Sequence, residues 1–365
     1  MAQIDIAALR LQNQCIQAPH FEHPEDAVHW MGALQAQDYN HGVWAVGLRT
    51  RAVTLAGVER AIAAGKLLRT WPMRGTLHFV AAADARWMLS LSGERTLAAA
   101  RGRHAQLGLD AAVFVRSQTL ISAALQGGNR LTRAQMMGVL EQGGVSTTVQ
   151  RGIHILGQAA LCGLICFGPR DGKQQTFVLL DEFVPDGRTL PREEALAELA
   201  GRYFVSHGPA TVRDFAWWAG LTLADARAGL AAAGGLSSIT IDSNEYWLAA
   251  DALDLASPIS AGVHLLPGFD EYFIGYADRS AMIRAEHMAK VSPGANGLFY
   301  PMLVVDGQIS GVWQRRLKKG SLALSLQPFR PLEVSPEQIA AVSRRYSRFL
   351  ELPLEAVTIA DGPPA

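Results

Sequence analysis

The chain has 365 residues, 49% of them hydrophobic and 18% charged, which excludes an intrinsically disordered polymer and allows two or three packed units. Its formal net charge is zero, so any attraction to a polyanion must come from local patches, not from the total.

Three cysteines, Cys15, Cys162 and Cys166, are odd in number and argue against a disulfide framework. They read as buried thiols in a reducing compartment. No further Cys or His lies close enough in sequence to complete a zinc set, so neither metal nor cofactor is expected. The N-terminal MAQIDIAALRLQNQ lacks a basic segment followed by an apolar one, and no apolar run approaches the roughly 20 residues of a membrane span. A cytoplasmic protein with no membrane partner is expected.

In chain order, HPEDAVHWMGALQAQ reads as a helix with Pro24 in its first turn, followed by a second helix in TLAGVERAIAAGKL. LLRTWPMRGTLHFV reads as a hairpin turning at WPMRG. LTRAQMMGVLEQGG and TTVQRGIHILGQAALCGL predict two more helices, and ICFGPRDGKQQTFVLL predicts a hairpin around PRDGK. GPATVRDFAWWAGL, TLADARAGLAAAGG and LSSITIDSNEYWLAA repeat the order, with the turn at DSNE. Of the adjacent Trp217 and Trp218, at least one should be core, because neighbouring helical residues face about 100° apart.

The order helix, helix, hairpin thus occurs three times, the pattern of a helix-turn-helix with a wing. The expected fold class is α+β: a first winged-helix unit over 1–105, a second over 106–188 and a third over 189–256. Residues 257–365 read as a separate region of strands and helix. It contains HLLPGFDEYFIGYADR, a hairpin turning at VDGQ, and the terminal helix SPEQIAAVSRRYSRFL.

Charge is unevenly spread. Ten Lys/Arg lie between Trp44 and Arg103, opposed only by Glu59, Asp84 and Glu94. Eight lie between Gly311 and Leu350 against Glu333 and Glu337. Two basic regions on a neutral chain could frame a groove for duplex DNA, or could be ordinary solvated faces. Winged helices mostly bind duplex DNA, but such modules also serve as protein scaffolds. The candidate DNA contacts are Arg49, Arg51, Lys66, Arg69, Arg74 and His78 in the first unit, and Trp313, Arg315 and Arg316 after the VDGQ turn. Arg69 and Arg74 flank the wing turn and are the leading phosphate contacts. Asp270 and Glu271 in GFDEY resemble an acid pair, but no metal-ligand spacing accompanies them, and they read as structural.

LQAQD places Gln35 and Gln37 on either side of one alanine where the first helix ends. Residues i and i+2 share a side only in extended chain. A Gln-x-Gln there is ordinarily surface polarity or a cap. Asp38 beside it could cap the following turn or act as a general base.

In LQAQD, TWPMRGTLHFV, GPATVRDFAWWAGL, LLPGFDEYFIGYADR and VVDGQISGVWQRR, running in that order from about residue 30 to residue 316, the chain resembles the AlkZ/YcaQ superfamily of winged-helix DNA glycosylases. The resemblance implies tandem winged helices forming a C-shaped basic DNA channel. It implies excision of bulky or cationic N-alkylated purines, with unhooking of interstrand crosslinks by some members and self-resistance in antibiotic producers. The superfamily carries a catalytic Gln-apolar-Gln motif in the AlkZ branch and Gln-apolar-Asp in the YcaQ branch. By that match Gln35 and Gln37 are the catalytic pair, with Asp38 their rival, and the chain lies nearer the AlkZ branch.

The chemistry is consistent with amides. Glutamine does not take up a proton near neutral pH, but it can orient a water by hydrogen bonding. An N7- or N3-alkylated purine is already a cation and a good leaving group. The enzyme need only hold the duplex, place water near C1′ and stabilise an oxocarbenium-like state. No lysine stands near the motif, so a monofunctional enzyme without a Schiff base is expected, acting on duplex DNA with alkylated bases and no obligate protein partner. The alternative is a winged-helix transcriptional regulator without activity.

Overall fold

The computed structural model describes residues 4–253, 262–295 and 297–360. The chain opens with α1 (Ile6–Asn13), capped by the Asp5 carboxylate, and α2 (Pro24–Met31), which has Pro24 in its first turn and Glu25 and Asp26 complementing the helix dipole. The sequence pattern predicts that α2 runs on through the glutamines. Instead it stops at Gly32, whose φ of 74° reverses the chain, and Leu34–Gln35 forms a two-residue strand, β1. Next come α3 (Tyr39–Arg49), α4 (Leu55–Ala63), and the hairpin of β2 (Leu67–Met73) with β3 (Thr76–Ala81).

A 22-residue helix, α5 (Ala85–Gln106), not singled out by the sequence pattern, leads to α6 (Ala111–Leu125), β4 (Leu131–Thr132), α7 (Arg133–Gln142) and α8 (Arg151–Leu161). The second hairpin, β5 (Ile165–Asp171) with β6 (Gln174–Leu179), ends in the short α9 (Leu180–Phe183). The two hairpins do not stand apart as separate wings. Arg69 of β2 pairs with Phe167 of β5, giving one six-stranded sheet in the order β1-β3-β2-β5-β6-β4. β1, which carries Gln35, is therefore an edge strand.

The third repetition comprises α10 (Arg192–His207), α11 (Val212–Ala219), α12 (Leu223–Ala232) and a two-stranded hairpin, β7 (Leu236–Ile241) with β8 (Asn244–Ala249). A full capping box, Thr211 with Asp214, starts α11 as its sequence signals. Trp218 is buried and Trp217 is 49% exposed, as the helical offset requires.

The remaining elements are β9 (Val263–Leu266), α13 (Glu271–Ile274), α14 (Met288–Val291), β10 (Met302–Val305), β11 (Gln308–Lys318), β12 (Ser321–Pro328), α15 (Pro336–Leu350) and β13 (Leu354–Ile359). Their sheet runs β13-β12-β11-β10-β9, antiparallel except where α15 carries the chain over to β13, parallel to β12.

This C-terminal region shares the main hydrophobic core with the N-terminal helices. Trp44 of α3 donates to the Leu265 carbonyl at 2.8 Å and packs on Tyr346 and Phe349 of α15. Tyr272 donates to the carbonyls of Ala7 and Gly307. A second, smaller core lies between α6, α7, α8 and the second hairpin. Cys15 and Cys166 are buried, where burial raises each thiol to about 12. Cys162 is exposed, contrary to the expectation of three buried thiols, because it falls on the solvent side where α8 ends.

Candidate active site

The glutamine motif hangs from the sheet edge. Leu34 and Gln35 pair with Phe79 and His78 of β3, and the Ala36 N–H donates to the Leu77 carbonyl at 2.8 Å. The Leu77 N–H in turn donates to Oε1 of Gln37 at 3.2 Å. The first turn of α3 lies so close behind that a Cβ at Gly42 would meet the Ala36 Cβ at 2.8 Å, so only glycine fits there.

The two amides differ. Gln37 is exposed, and its carbonyl oxygen is engaged by Leu77, so what it offers outward is its N–H donors. Gln35 is 9% exposed, and its Oε1 is buried with no hydrogen-bond partner. A buried acceptor without a donor costs about 1–3 kcal/mol, so it requires a water or ligand. An acceptor on Gln35, in β1, and a donor on Gln37, in the bend just past it, can together orient one water. Asp38 is exposed and caps α3, its Oδ1 accepting from the His41 N–H at 3.0 Å.

Arg69 does not reach out to DNA. It is 7% exposed; its Nε donates to the Ala36 carbonyl at 2.9 Å, and its Nη2 donates to the Gln37 carbonyl at 3.2 Å. Its guanidinium lies 4.9 Å from the centre of the Phe167 ring, and burial lowers its pKa to about 10, so it stays a cation. The expected phosphate contact is thus a clamp on the motif's backbone. Arg69→Met is expected to slow base release by about tenfold or more with unchanged DNA affinity, from the loss of two charge-assisted hydrogen bonds. Were it a phosphate contact, the affinity and its salt dependence would fall instead, which a titration at two salt concentrations distinguishes.

Behind the motif lies a buried polar cluster. Glu271, fully buried at the start of α13, accepts from the Gln35 backbone N–H at 2.9 Å on Oε1, and from Nε1 of Trp218 at 2.8 Å on Oε2. Burial opposes its ionisation, and the positive charge of Arg74 nearby favours it. His207 Nε2 stands 3.9 Å away, beyond hydrogen-bond reach, and burial lowers its pKa, so it stays neutral.

Arg74, the other expected phosphate contact, is half-buried; Nε and Nη2 of its guanidinium have no partner among the described residues, and burial lowers its pKa. His78 is the second correction. It is fully buried, bonded through Nδ1 to the Thr76 carbonyl, and burial followed by the Arg74 charge pushes it down to about 4.

His264 is likewise pushed to about 4, mainly by burial. Both folded pKa values lie below the unfolded value near 6.5. The unfolded chain therefore takes up protons first as pH falls, and stability present above pH 6.5 is lost towards pH 4. Between pH 7.5 and pH 5 these two groups should cost about 2 kcal/mol each. Melting temperature across that range is the check, and a flat acid side would contradict it.

Arg49 and Trp313 also leave the list of DNA contacts. Arg49 is fully buried, bidentate to Asp270 at 2.9 and 3.0 Å and bonded to Gln14. Trp313 is 2% exposed and donates to the Leu266 carbonyl. Arg51 and Lys66 are exposed but engage Glu22 and Glu25. Arg315 bonds the Tyr346 hydroxyl, while Arg316 is exposed near the end of β11, close in sequence to Lys318 and Lys319. Among the described residues, no group of three His, Cys, Asp or Glu side chains could hold a metal, and no helix is long and apolar enough to cross a membrane.

Residues 28–352 match the family model described as DNA glycosylase AlkZ-like. The chain is 28% identical over 324 residues to the interstrand DNA cross-link repair glycosylase of Streptomyces sahachiroi, covering 85% of this chain and 86% of that protein. The solved structure of the Streptomyces sahachiroi DNA glycosylase AlkZ superposes with a TM-score of 0.81 at 25% identity, over 98% of each chain.

Proposed function

The chain belongs to the AlkZ-like DNA glycosylase family, and we propose that it hydrolyses the N-glycosidic bond of N7- and N3-alkylated, cationic purines in duplex DNA. The observation that carries the reading is the buried, unpartnered Oε1 of Gln35 in β1 with the exposed amide of Gln37 two residues on, in a segment held by β3, Arg69 and Glu271. Gln35 accepts a hydrogen bond from the attacking water and Gln37 donates one to it. The C1′–N9 bond breaks with its electron pair going to the cationic purine, which leaves neutral; the water oxygen bonds C1′ and its surplus proton passes to solvent, so neither amide has to take it up. The same demand spares normal purines, whose departure requires protonation.

The enzyme is monofunctional in this reading. The nearest lysine in sequence, Lys66, is held by Glu25 on the exposed surface, away from the duty of a Schiff base. Tandem winged-helix units form a C-shaped channel for the duplex, with Arg316 and Lys319 at the far end of the β11–β12 hairpin meeting phosphates, while Lys318 between them engages Glu355 at 2.7 Å. The substrate range extends to interstrand crosslinks, the reaction in the name of the Streptomyces sahachiroi relative. Action is cytoplasmic. A regulator without activity is set aside, because the family is one of glycosylases.

The test is incubation with a duplex carrying one N7-methylguanine. Expected is free base and an abasic site, with the strand intact until alkali is added and nothing trapped by borohydride. No release there or from a bulkier adduct would overturn the reading.

A further inference from the structure

We propose that Glu271 is a positioning residue for base release: its carboxylate fixes the Gln35 peptide and so sets where the Gln35 amide presents its acceptor. The inference rests on the glycosylase reading above. β1 is an edge strand, and the Ala36 N–H is spent on β3, so the Gln35 N–H faces away from the sheet, where no strand can receive it. That N–H is buried and must be satisfied. A backbone carbonyl or a water would do so at little cost. A fully buried carboxylate is the expensive choice, because its own desolvation has to be offset.

The carboxylate is also anchored on both oxygens. Oε1 takes the Gln35 N–H and Oε2 takes the Trp218 indole N–H, and the Trp218 ring lies against Gly32, where α2 gives way to the motif. Two donors fix the plane of the carboxylate, and the carboxylate fixes the strand. The motif is thereby held on one edge by β3, across its end by Arg69 and on the other edge by Glu271. Only the last hold comes from the C-terminal half of the chain.

The test exploits the donor count. In Glu271→Gln the side chain keeps one oxygen for two N–H donors, so its NH2 must oppose either Gln35 or Trp218. In Glu271→Gln/Trp218→Phe the indole donor is gone, and the amide oxygen can turn to Gln35. Single-turnover release of N7-methylguanine at saturating enzyme, DNA affinity and melting temperature are measured for the wild type, both single variants and the double.

Expected is a fall of about tenfold or more in rate for Glu271→Gln with DNA affinity unchanged. Trp218→Phe should lose about threefold, and the double variant should be faster than Glu271→Gln. A rate for Glu271→Gln within about twofold of wild type, or a double variant no faster than it, overturns the inference. If Glu271→Gln does not fold, the double against Trp218→Phe decides: similar rates support the inference, and a further fall of about tenfold overturns it. Absence of release by the wild type overturns the glycosylase reading and this inference with it. Release that Glu271→Gln leaves unchanged overturns the inference alone.

Discussion

Gln35→Ala and Gln37→Ala should each lower the single-turnover rate of base release by about 10²–10³, the usual effect of deleting one positioned hydrogen-bonding group at a developing charge. DNA affinity should stay within about twofold, because neither amide is placed to carry a phosphate. The two losses have different origins. Gln35→Ala removes the buried unpartnered acceptor and leaves the backbone ladder to His78 and Phe79 intact. Gln37→Ala also releases the Leu77 N–H, which then turns to solvent and loosens the motif's last residue.

Asp38→Asn supplies the contrast. Asparagine caps helices as well as aspartate does, so the start of α3 survives while the candidate base is gone. A rate within about threefold of wild type keeps the chemistry on the amides. A loss deeper than that of Gln37→Ala would make Asp38 the base.

The second large effect concerns stability. Asp270→Ala should cost about 3–5 kcal/mol, because it strands the Arg49 guanidinium in a fully buried site. Arg49 ends α3, Asp270 caps α13, and Gln14 follows α1, so the pair ties three distant parts of the chain together. Replacing both partners by well-packed apolar residues should restore much of the loss, since the desolvation of both charges disappears with them. The denaturant midpoint and slope give the measurement. A loss under about 1 kcal/mol for Asp270→Ala would show that water reaches the guanidinium.

Arg49 also shows where sequence reasoning reaches its limit. Counting basic residues between Trp44 and Arg103 marks a patch, but the count carries no information on which guanidinium faces inward. Arg49, Arg69 and Arg74 all turn inward, each towards a partner or neighbour more than 30 positions away: Asp270, the Ala36 carbonyl and Glu271. Local signals were more legible. Pro24 starts a helix, Thr132 and Thr211 head capping boxes, and the three hairpins turn at the segments their glycines and polar residues mark.

The sequence pattern carries α2 past its true end because Ala33, Leu34 and Ala36 continue an apolar, helix-compatible run. Only Gly32 announces the break, and a single glycine inside such a run is ambiguous. The joining of the first two hairpins through Arg69 and Phe167 is a pairing 98 residues apart, which no window of local sequence contains. Glu271 was visible as one of two adjacent acids, but its role follows from β1 being an edge strand. That fact belongs to the sheet order and not to GFDEY.

If two amides orient the water that breaks the N-glycosidic bond, single-turnover reaction of the wild type with an N7-methylguanine duplex gives free base and an abasic strand, with nothing trapped on the protein by borohydride. Gln35→Ala/Gln37→Ala then releases base at least about 10²-fold more slowly at unchanged DNA affinity. No release by the wild type, a borohydride-trapped enzyme–DNA adduct, or a double variant within about threefold of the wild-type rate would count against hydrolysis by an amide-held water.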